Sequence, residues 1–354
     1  MNERLAPHRQ QVRKIAVLRA LQLGDMLVAV PALRSLRAGF PDAEITLIGL
    51  PWARAFARRY PRYLDRFVEF AGYPGIAEVP VEPARTARFL AEQRAYGFDL
   101  VVQLHGSGRA SNPCALALGG AATAGYYEGE QPAGLAIGAP YPSGAPEILR
   151  NLGLARLLGC PDTGTSLEFP IEDDDRAEAD ALLEGIGPRP WIGIHPGARP
   201  PARRWSPERF AVVADRLVAR TGGSVVLTGS ADELATVRAV ARVMANVPLV
   251  TAGRTSLGGL AALIAACDLF VGNDTGPAHL AVAVDTPSVV LFGPADHRRW
   301  APLEPRRHAT VRVPVACSPC PYWECPIDHR CLRRISADMV CAAAESLATM
   351  GAFR

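Results

Sequence analysis

The chain has 354 residues, of which 49% are hydrophobic and 21% are charged, and its formal net charge is +3. This length is enough for two domains that each bury a core, and so small a net charge does not favour a nucleic-acid-binding protein. No apolar run of the sequence is long enough to cross a bilayer. The N-terminal segment is polar and basic with no apolar stretch behind it, so we expect no signal peptide and a cytoplasmic location.

The first predicted elements form a strand, helix and strand unit. Apolar runs at 14–18 and 44–48 predict strands, and a helical pattern lies between them at 26–40. Pro31 falls inside that pattern and predicts either a kink or a new helix start. An alternation of this kind favours a parallel sheet with right-handed crossovers.

The segment 52–66 has the pattern of an arginine-rich helix that Pro61 must interrupt. The spacing of Arg58, Arg62 and Arg66 predicts that these side chains share one face. That face is either a solvated charged surface or an anion-binding surface, and the sequence leaves both interpretations open.

A third strand is predicted at 98–104, and a glycine-rich turn follows it, from His105 to Arg109. Ligands of open α/β sheets bind at the carboxyl ends of the strands, so we expect His105 and Arg109 to face a ligand. The stretch 119–146 is rich in Gly, Ala and Pro and is predicted to be loop.

A change of composition marks the boundary between two domains. Turn residues and acids predominate between Cys160 and Pro190, so we predict domains at 1–170 and 171–354. Strands are then predicted at 191–194, 224–228, near 249, at 269–271 and at 289–292, and helices at 207–220, 231–244, 258–266 and from 277 onwards. The predicted fold class is α/β, with two doubly wound sheets and a cleft between them.

The stretch 268–294 carries the clearest functional pattern of the chain. Its helix is predicted to begin at Pro277, with Thr275 or Gly276 as the capping residue. Free N–H groups and the positive end of the helix dipole then suit a phosphate, to which His279 can add a hydrogen bond or a charge. In the alternative interpretation this turn only caps a helix and His279 packs in the core.

Three loops of the second domain follow strands on what should be the same sheet edge. They contain His195 and Arg203, then Asp232 and Glu233, and finally Asp274, Thr275 and Gly276. Guanidinium groups, carboxylates for ribose hydroxyls and a helix N-terminus together predict a nucleotide-diphosphate site. No G-x-G-x-x-G follows the first strand and no P-loop motif occurs, which argues against NAD-type and P-loop binding.

Four cysteines cluster near the C-terminus, at Cys317, Cys320, Cys325 and Cys331, with His329 close by. The cluster has the ligand count of a structural zinc or iron site, although the later spacings are tight. The other interpretation is that a cytosolic chain keeps these thiols reduced and without a metal.

Short motifs occur in a fixed order along the chain, several of them in these loops. They are L-G-D at 23–25 with Pro31, H-P-G-A at 195–198, R-R-W-S-P at 203–207, T-G-S at 228–230, N-D-T-G-P-A-H at 273–279 and L-F-G-P at 291–294. As a set they resemble glycosyltransferase family 9, which contains the heptosyltransferases of the lipopolysaccharide inner core. The similarity runs from about residue 13 to about residue 335, and each motif alone is weak.

The resemblance implies a GT-B fold, in which two Rossmann-like domains face a cleft. The first domain would hold the acceptor and the second the nucleotide sugar. The implied reaction is inverting transfer of a heptose or related sugar, from ADP-heptose or a similar donor, to a cell-envelope glycolipid such as the lipopolysaccharide core. No cofactor is implied for catalysis, although some related autotransporter heptosyltransferases carry iron on cysteines.

The resemblance also assigns roles to residues. Asp25 matches the general base of the family, while Asp274, Thr275, Gly276 and His279 match the element that binds the donor diphosphate. Arg203 stands where many members carry lysine, and His195 and Asp232 join it as donor-binding candidates. His105 and Arg109 are the acceptor-binding candidates. For the ribose we favour Asp232 over Glu233.

Several alternatives stay open at this point. Asp25 can be only the N-cap of its helix, and His195 can be only a turn-stabilising residue. A nucleotide-sugar epimerase of the same fold and a catalytically silent glycan-binding or nucleotide-binding subunit are the competing functions. The expected partners are the donor and a glycolipid, with peripheral contact to the inner membrane, and the last helix can pack back on the first domain.

Overall fold

The computed structural model describes residues 11–351, which divide into two compact units. The first unit ends at Ser166 and the second begins at Leu167, whereas the sequence analysis places the boundary between residues 170 and 171. Each unit contains one six-stranded parallel sheet with helices, as the sequence predicts. The assignment of the acceptor to the first unit and of the donor to the second stays a prediction.

The first unit alternates strands and helices almost throughout. Its strands are β1 (Lys14–Leu18), β2 (Glu44–Gly49), β3 (Arg66–Glu69), β4 (Leu100–Gln103), β5 (Ala122–Tyr127) and β6 (Ile137–Pro140). Its helices are α1 (Leu23–Leu27), α2 (Val30–Gly39), α3 (Ala53–Arg58), α4 (Pro83–Tyr96), α5 (Ser111–Ala117) and α6 (Glu147–Leu157). The strand order across the sheet is β3-β2-β1-β4-β5-β6.

The second unit repeats this plan. Its strands are β7 (Trp191–His195), β8 (Ser224–Leu227), β9 (Leu249–Val250), β10 (Leu269–Asn273), β11 (Ser288–Phe292) and β12 (His308–Arg312). Its helices are α7 (Asp173–Leu183), α8 (Pro207–Thr221), α9 (Leu234–Val243), α10 (Leu257–Ala266), α11 (Gly276–Ala283), α12 (His297–Trp300), α13 (Arg330–Arg333) and α14 (Ala337–Thr349). The strand order, β12-β11-β10-β7-β8-β9, has the same winding as the first sheet.

Local sequence explains where the long helices begin and end. Helices α4 and α8 both start with a proline, whose missing N–H is not needed there. Each is followed by a glycine with positive φ, Gly97 at 71° and Gly222 at 70°, a conformation that other residues rarely adopt.

Apolar side chains bury the centre of each sheet. All five residues of β10 are buried. In the core of the same unit, Trp205 packs edge-on against Phe210, with ring centroids 4.9 Å apart. The last helix, α14, contributes Val340 and Leu347 to this same core. The helix that the sequence allows to return to the first domain is therefore part of the core of the second unit.

Of the two alternatives at Pro31, the new helix start is confirmed, since α1 ends at Leu27 and α2 begins at Val30. Two other sequence predictions need correction. The stretch 119–146 is not simply loop, because β5 and β6 lie within it. The arginines of the 52–66 segment do not share one helical face, because α3 ends at Arg58 and Arg66 begins strand β3. No helix between residues 11 and 351 has the length and apolar character needed to span a membrane.

Candidate functional site

In each unit the strand order reverses between two central strands, β1 and β4 in the first and β7 and β10 in the second. The connections leave such a pair in opposite directions, so the carboxyl ends border an open crevice where ligands of doubly wound folds bind. Asp25 and His105 follow β1 and β4, His195 is the last residue of β7, Arg203 lies in the loop after β7, and the turn 274–276 follows β10. These residues therefore lie at the ends of the strands that border the two crevices, whereas Asp232 follows β8.

The N-terminus of α11 presents unpaired N–H groups. Thr275 is the N-cap, but its hydroxyl donates to the Asn273 carbonyl at 3.3 Å and does not cap the helix. Among residues 11–351 the N–H groups of Thr275 and Gly276 have no hydrogen-bond acceptor. Together with the helix dipole they form a site for an anion.

Asp274 organises two side chains at this helix end. Its carboxylate is 4% exposed, with Oδ2 3.4 Å from Nη1 of Arg203 and Oδ1 3.8 Å from Nε2 of His279. Nη1 of Arg203 also donates to the Asp274 carbonyl at 3.3 Å. The Arg203 side chain is 36% exposed, and in the described part of the chain only its Nη1 group is paired. Its other N–H groups can therefore contact a ligand.

His279 is neutral near physiological pH. Burial lowers the pKa of its imidazole to about 4, and the nearby charge of Arg203 acts in the same direction. The carboxylate of Asp274 favours the protonated form, but at 3.8 Å it lies beyond hydrogen-bond distance, so burial dominates. Of the two roles that the sequence allows, a neutral ring supplies the hydrogen bond and not the charge.

His195 joins the loop after β7 to the loop after β8. Its Nδ1 lies 3.1 Å from the Thr228 hydroxyl, and its Nε2 lies 3.6 Å from Oε2 of Glu233. Burial lowers the pKa of His195, and the Glu233 carboxylate opposes that shift. A buried ring held between two loops favours the turn-stabilising interpretation.

The two acidic residues of the loop after β8 differ in their environment. The Glu233 carboxylate accepts the Ser230 N–H at 2.8 Å and faces Gly197, where an added Cβ would lie 2.2 Å from Oε1. Glycine at 197 therefore lets the two loops approach each other. Asp232 is exposed and, within the described range, takes part in no hydrogen bond or ion pair. Its carboxylate is available to a ribose hydroxyl.

Asn273 is an organising residue that the sequence analysis did not identify. Its buried amide donates to the carbonyls of Pro196 and Gly197 at 2.9 and 3.2 Å. Its Oδ1 accepts the Trp205 N–H at 3.1 Å. One side chain thus fixes the path of the loop after β7 against the end of β10. Its position directly before the Asp274 turn is the only sequence signal of this role.

In the first unit, Asp25 is the third residue of α1, and the N-cap is Gln22. Asp25 is therefore not the N-cap that the sequence allows. Its Oδ2 accepts the Gln22 N–H at 3.3 Å, which completes a capping box. The side chain is half-buried, so capping is compatible with access by a substrate hydroxyl.

His105 lies beside the same loop. Its Nδ1 accepts the Ala20 N–H at 3.2 Å, which places the ring proton on Nε2, 3.7 Å from Oε2 of Glu78. The interaction with His105 lowers the pKa of Glu78. The ring of His105 therefore connects the loop after β1 to the loop after β4.

Arg109 is exposed at the rim of a cavity of about 430 Å³. The cavity lies at the carboxyl ends of β4 and β5 and is lined by Gly108, Arg109, Asn112, Pro113, Leu116, Tyr127, Glu128, Gly129 and Pro132. Its walls combine apolar side chains with one guanidinium and one carboxylate, which suits a sugar carrying charged substituents.

The C-terminal cysteines are free thiols. Hydrogen bonds from backbone N–H groups lower the pKa of Cys325, and the N–H of Ile327 has the largest effect. Within residues 11–351, Nε2 of His329 is buried without a hydrogen-bond partner. Both features suit a metal ligand. Among residues 11–351 no group of three or more His, Cys, Asp or Glu side chains has the arrangement of a metal site. A metal at this cluster stays a prediction.

The pKa of His279 leads to a testable pH dependence. By NMR we expect its ring to titrate near pH 4, against about 6.5 for a free histidine. Because the folded-state pKa is the lower one, the unfolded chain binds a proton at this ring more tightly than the folded chain does. Acidification from about pH 6.5 towards pH 4 therefore lowers the free energy of unfolding by up to about 3 kcal/mol. Above about pH 6.5 the ring makes no pH-dependent contribution to stability. His279→Gln should remove this part of the pH dependence and leave that of His308, whose pKa is also lowered to about 4. A ring that titrates near 6.5 would contradict the argument.

Comparisons with known proteins agree on one family. The model of glycosyltransferase family 9 (heptosyltransferase) matches residues 87–330, which is more than half of the chain. Lipopolysaccharide heptosyltransferase 3 of Escherichia coli is 30% identical over 292 residues, which cover 79% of this chain and 83% of that protein.

Two solved structures share the fold. A glycosyl transferase family 9 protein from Veillonella parvula superimposes with a TM-score of 0.78 at 24% identity, over 95% of this chain and 97% of that one. The ADP-heptose lipopolysaccharide heptosyltransferase II of E. coli gives a TM-score of 0.75 at 23% identity, over 96% and 99% of the two chains. These matches confirm the predicted GT-B fold class. The chain belongs to glycosyltransferase family 9, and the protein is a glycosyltransferase.

Proposed function

We propose that this protein is an inverting heptosyltransferase that moves heptose from ADP-heptose to a hydroxyl group of the lipopolysaccharide core. The observation that carries the proposal is the cluster at the N-terminus of α11, where Arg203, Asp274 and His279 surround two unpaired N–H groups. A departing nucleoside diphosphate needs such a combination of charge and hydrogen-bond donors. The similar E. coli proteins are named as heptosyltransferases, and one of them is named for ADP-heptose.

The donor diphosphate would lie against the first turn of α11. The N–H groups of Thr275 and Gly276 and the neutral ring of His279 donate hydrogen bonds, and Arg203 supplies a full positive charge. Asp274 is an acceptor-only carboxylate that would repel a phosphate, so its role is to orient Arg203 and His279. These groups stabilise the leaving diphosphate in a transfer for which we propose no catalytic metal.

The base would come from the first unit. Inversion by a single displacement requires a base that accepts the proton of the attacking hydroxyl. Asp25 is half-buried and lies in the first turn of α1, where the helix dipole favours the ionised carboxylate that a base needs. A hydrogen bond from the Gln22 N–H to Oδ2 holds the carboxylate in place.

The acceptor would bind along the same sheet edge. The cavity at Arg109 follows β4 and β5, and β4 is paired to β1, the strand that precedes Asp25. The guanidinium suits a carboxylate or phosphate on the acceptor, while Pro113 and Leu116 offer apolar contact to a sugar ring. His105 would contact the acceptor nearer to the base.

We also propose peripheral contact with the inner membrane from the cytoplasmic side. Arg54, Arg58 and Arg62 are exposed, and in residues 11–351 none of them has an acidic partner. Unpaired surface arginines gain about 1 kcal/mol each next to anionic headgroups. Such contact would bring the enzyme to a lipid-anchored acceptor.

The role of Asp25 predicts separate effects on chemistry and on binding. Asp25→Asn keeps an oxygen that can accept the Gln22 N–H, but an amide is not a base, so transfer should slow by roughly 10²- to 10⁴-fold. Donor affinity, measured by calorimetry, should stay unchanged. Asp42→Asn, at a side chain that is 80% exposed in the same unit, is the control. Loss of donor binding with the activity would show a structural role, and a rearranged sugar from donor alone would indicate an epimerase.

The role of Arg203 predicts a loss of donor affinity. Arg203→Ala removes a charged hydrogen bond to the diphosphate, so the Kd for ADP-heptose should rise roughly 10- to 100-fold. Arg203→Lys retains the charge and should lose less. Thermal shifts with ADP-, UDP- and GDP-sugars measure the change in donor affinity and show which nucleobase the donor carries. Arg242→Ala, at an exposed position on α9, is the control, and wild-type affinity in Arg203→Ala would contradict the placement of the diphosphate.

Membrane contact can be measured by co-sedimentation with vesicles. Replacement of Arg54, Arg58 and Arg62 by Gln should reduce binding to vesicles rich in anionic lipid and leave transfer to a soluble acceptor fragment unchanged. Added salt should weaken wild-type binding, because it screens exposed charges. Replacement of Arg176, Arg238 and Arg242, three exposed arginines of the second unit, by Gln is the matched change. Equal binding by all variants would show that this surface does not contact the membrane.

A further inference from the structure

Arg19 is an arginine that lies almost wholly inside the protein, directly after β1, with 1% of its surface exposed. Its Nε and Nη2 groups both donate to the Asp25 carbonyl, at 2.8 and 2.6 Å. Its Nη1 donates to the Leu104 carbonyl and, at 3.3 Å, to Oδ1 of Asn151. One guanidinium thus connects the turn of Asp25, the loop after β4 and helix α6.

The Asp25 carbonyl lies in the last turn of a helix that ends early. Helix α1 has only five residues and stops at Leu27, and the N–H of Ala29 bonds to the Met26 carbonyl. A helix of this length is not stable by itself. A cation that caps its last carbonyls satisfies them and interacts favourably with the helix dipole.

Buried partners from α6 hold the guanidinium in place. Oε1 of Glu147 lies 3.7 Å from Nη2 of Arg19, and Glu147 also accepts a hydrogen bond from Arg150. The amide of Asn151 donates to the Val28 carbonyl at 3.1 Å, at the break between α1 and α2. Residues of α6 therefore fix both the guanidinium and the end of the turn that it caps.

We propose that Arg19 is a positioning residue of the transfer reaction. It fixes the turn that carries Asp25 and ties it to the loop of His105, so that the base and the acceptor loop keep one mutual geometry. This inference rests on the proposed function for its catalytic consequence. A displacement of about 1 Å in a reacting group can cost roughly 10²-fold in rate, so a turn this short gains from a rigid support.

The test compares Arg19→Lys with Arg34→Lys. Lysine keeps the charge at 19 but offers donors from one atom, which cannot span the carbonyls of Asp25 and Leu104. Arg34 lies on α2 of the same unit and donates to the carbonyls of Gly164 and Ser166, so it is a matched arginine away from the base.

We expect Arg19→Lys to increase amide hydrogen exchange in residues 22–29 by at least about tenfold, while protection of β2 and of the second unit is unchanged. The kcat should fall roughly 10- to 100-fold, with the donor KM and the shape of the pH profile retained, since the base is misplaced and not removed. Arg34→Lys should show neither effect. Asn151→Ala removes one contact of Arg19 together with the hydrogen bond to the Val28 carbonyl, so it should reproduce both effects on a smaller scale and serves if the lysine variant does not fold. Asn151→Asp keeps the Oδ1 acceptor of Arg19 and loses only the bond to Val28, so it shows how much of the effect comes from that bond.

Hydrogen exchange tests whether Arg19 holds the turn, and kinetics test whether the turn positions Asp25. Wild-type exchange at 22–29 in both Arg19→Lys and Asn151→Ala would overturn the inference, whatever the activity. Faster exchange with an unchanged kcat would also overturn it, because the turn would then not position the base. A wild-type protein that fails to transfer heptose would refute the proposed function, and the exchange data would still decide whether Arg19 holds the turn.

Discussion

The order of the strands in each parallel sheet is the constraint on which both sites depend. The chain adds strands on one side of the sheet and then on the other, so the order reverses between β1 and β4 and again between β7 and β10. At each reversal the connections leave in opposite directions, and the carboxyl ends of the two strands border a crevice. The base candidate follows β1 and the diphosphate element follows β10, so both lie at strand ends where ligands of doubly wound folds bind.

Burial then determines how the side chains at these crevices behave. Around α11, desolvation keeps His279 neutral, so the charge offered to a diphosphate comes from Arg203, which Asp274 orients. Around α1, burial has a different consequence, since the enclosed Arg19 must satisfy its donors on backbone carbonyls. In both places a buried polar side chain orients a residue that remains accessible to a ligand.

The sequence predicts an element best where its apolar periodicity and the residues at its ends indicate the same structure. An apolar run predicts the first strand, and the helix at 207–220 is predicted by its periodicity together with Pro207 at its start and Gly222 after its end. Pro277 in the first turn indicates the start of the helix that follows β10. The sequence does not predict strands β5 and β6, because Ala, Gly and Pro make up most of their short segments and each contains a single β-branched residue, Thr123 or Ile137. Their pairing in the sheet overrides that weak local preference.

Local periodicity and ordered short motifs are enough to predict the fold class, the family and the residues at the loop ends. The side chains that support these residues are visible only in the folded structure. Asn273 lies within a motif that does not reveal its bonds to the loop after β7, and Glu147, Asn151 and Arg19 carry no local pattern. Contacts among such residues join parts far apart in the chain, up to 132 positions between Arg19 and Asn151. Such partners become neighbours only when distant strands and helices pack, so a local reading of the sequence cannot identify them.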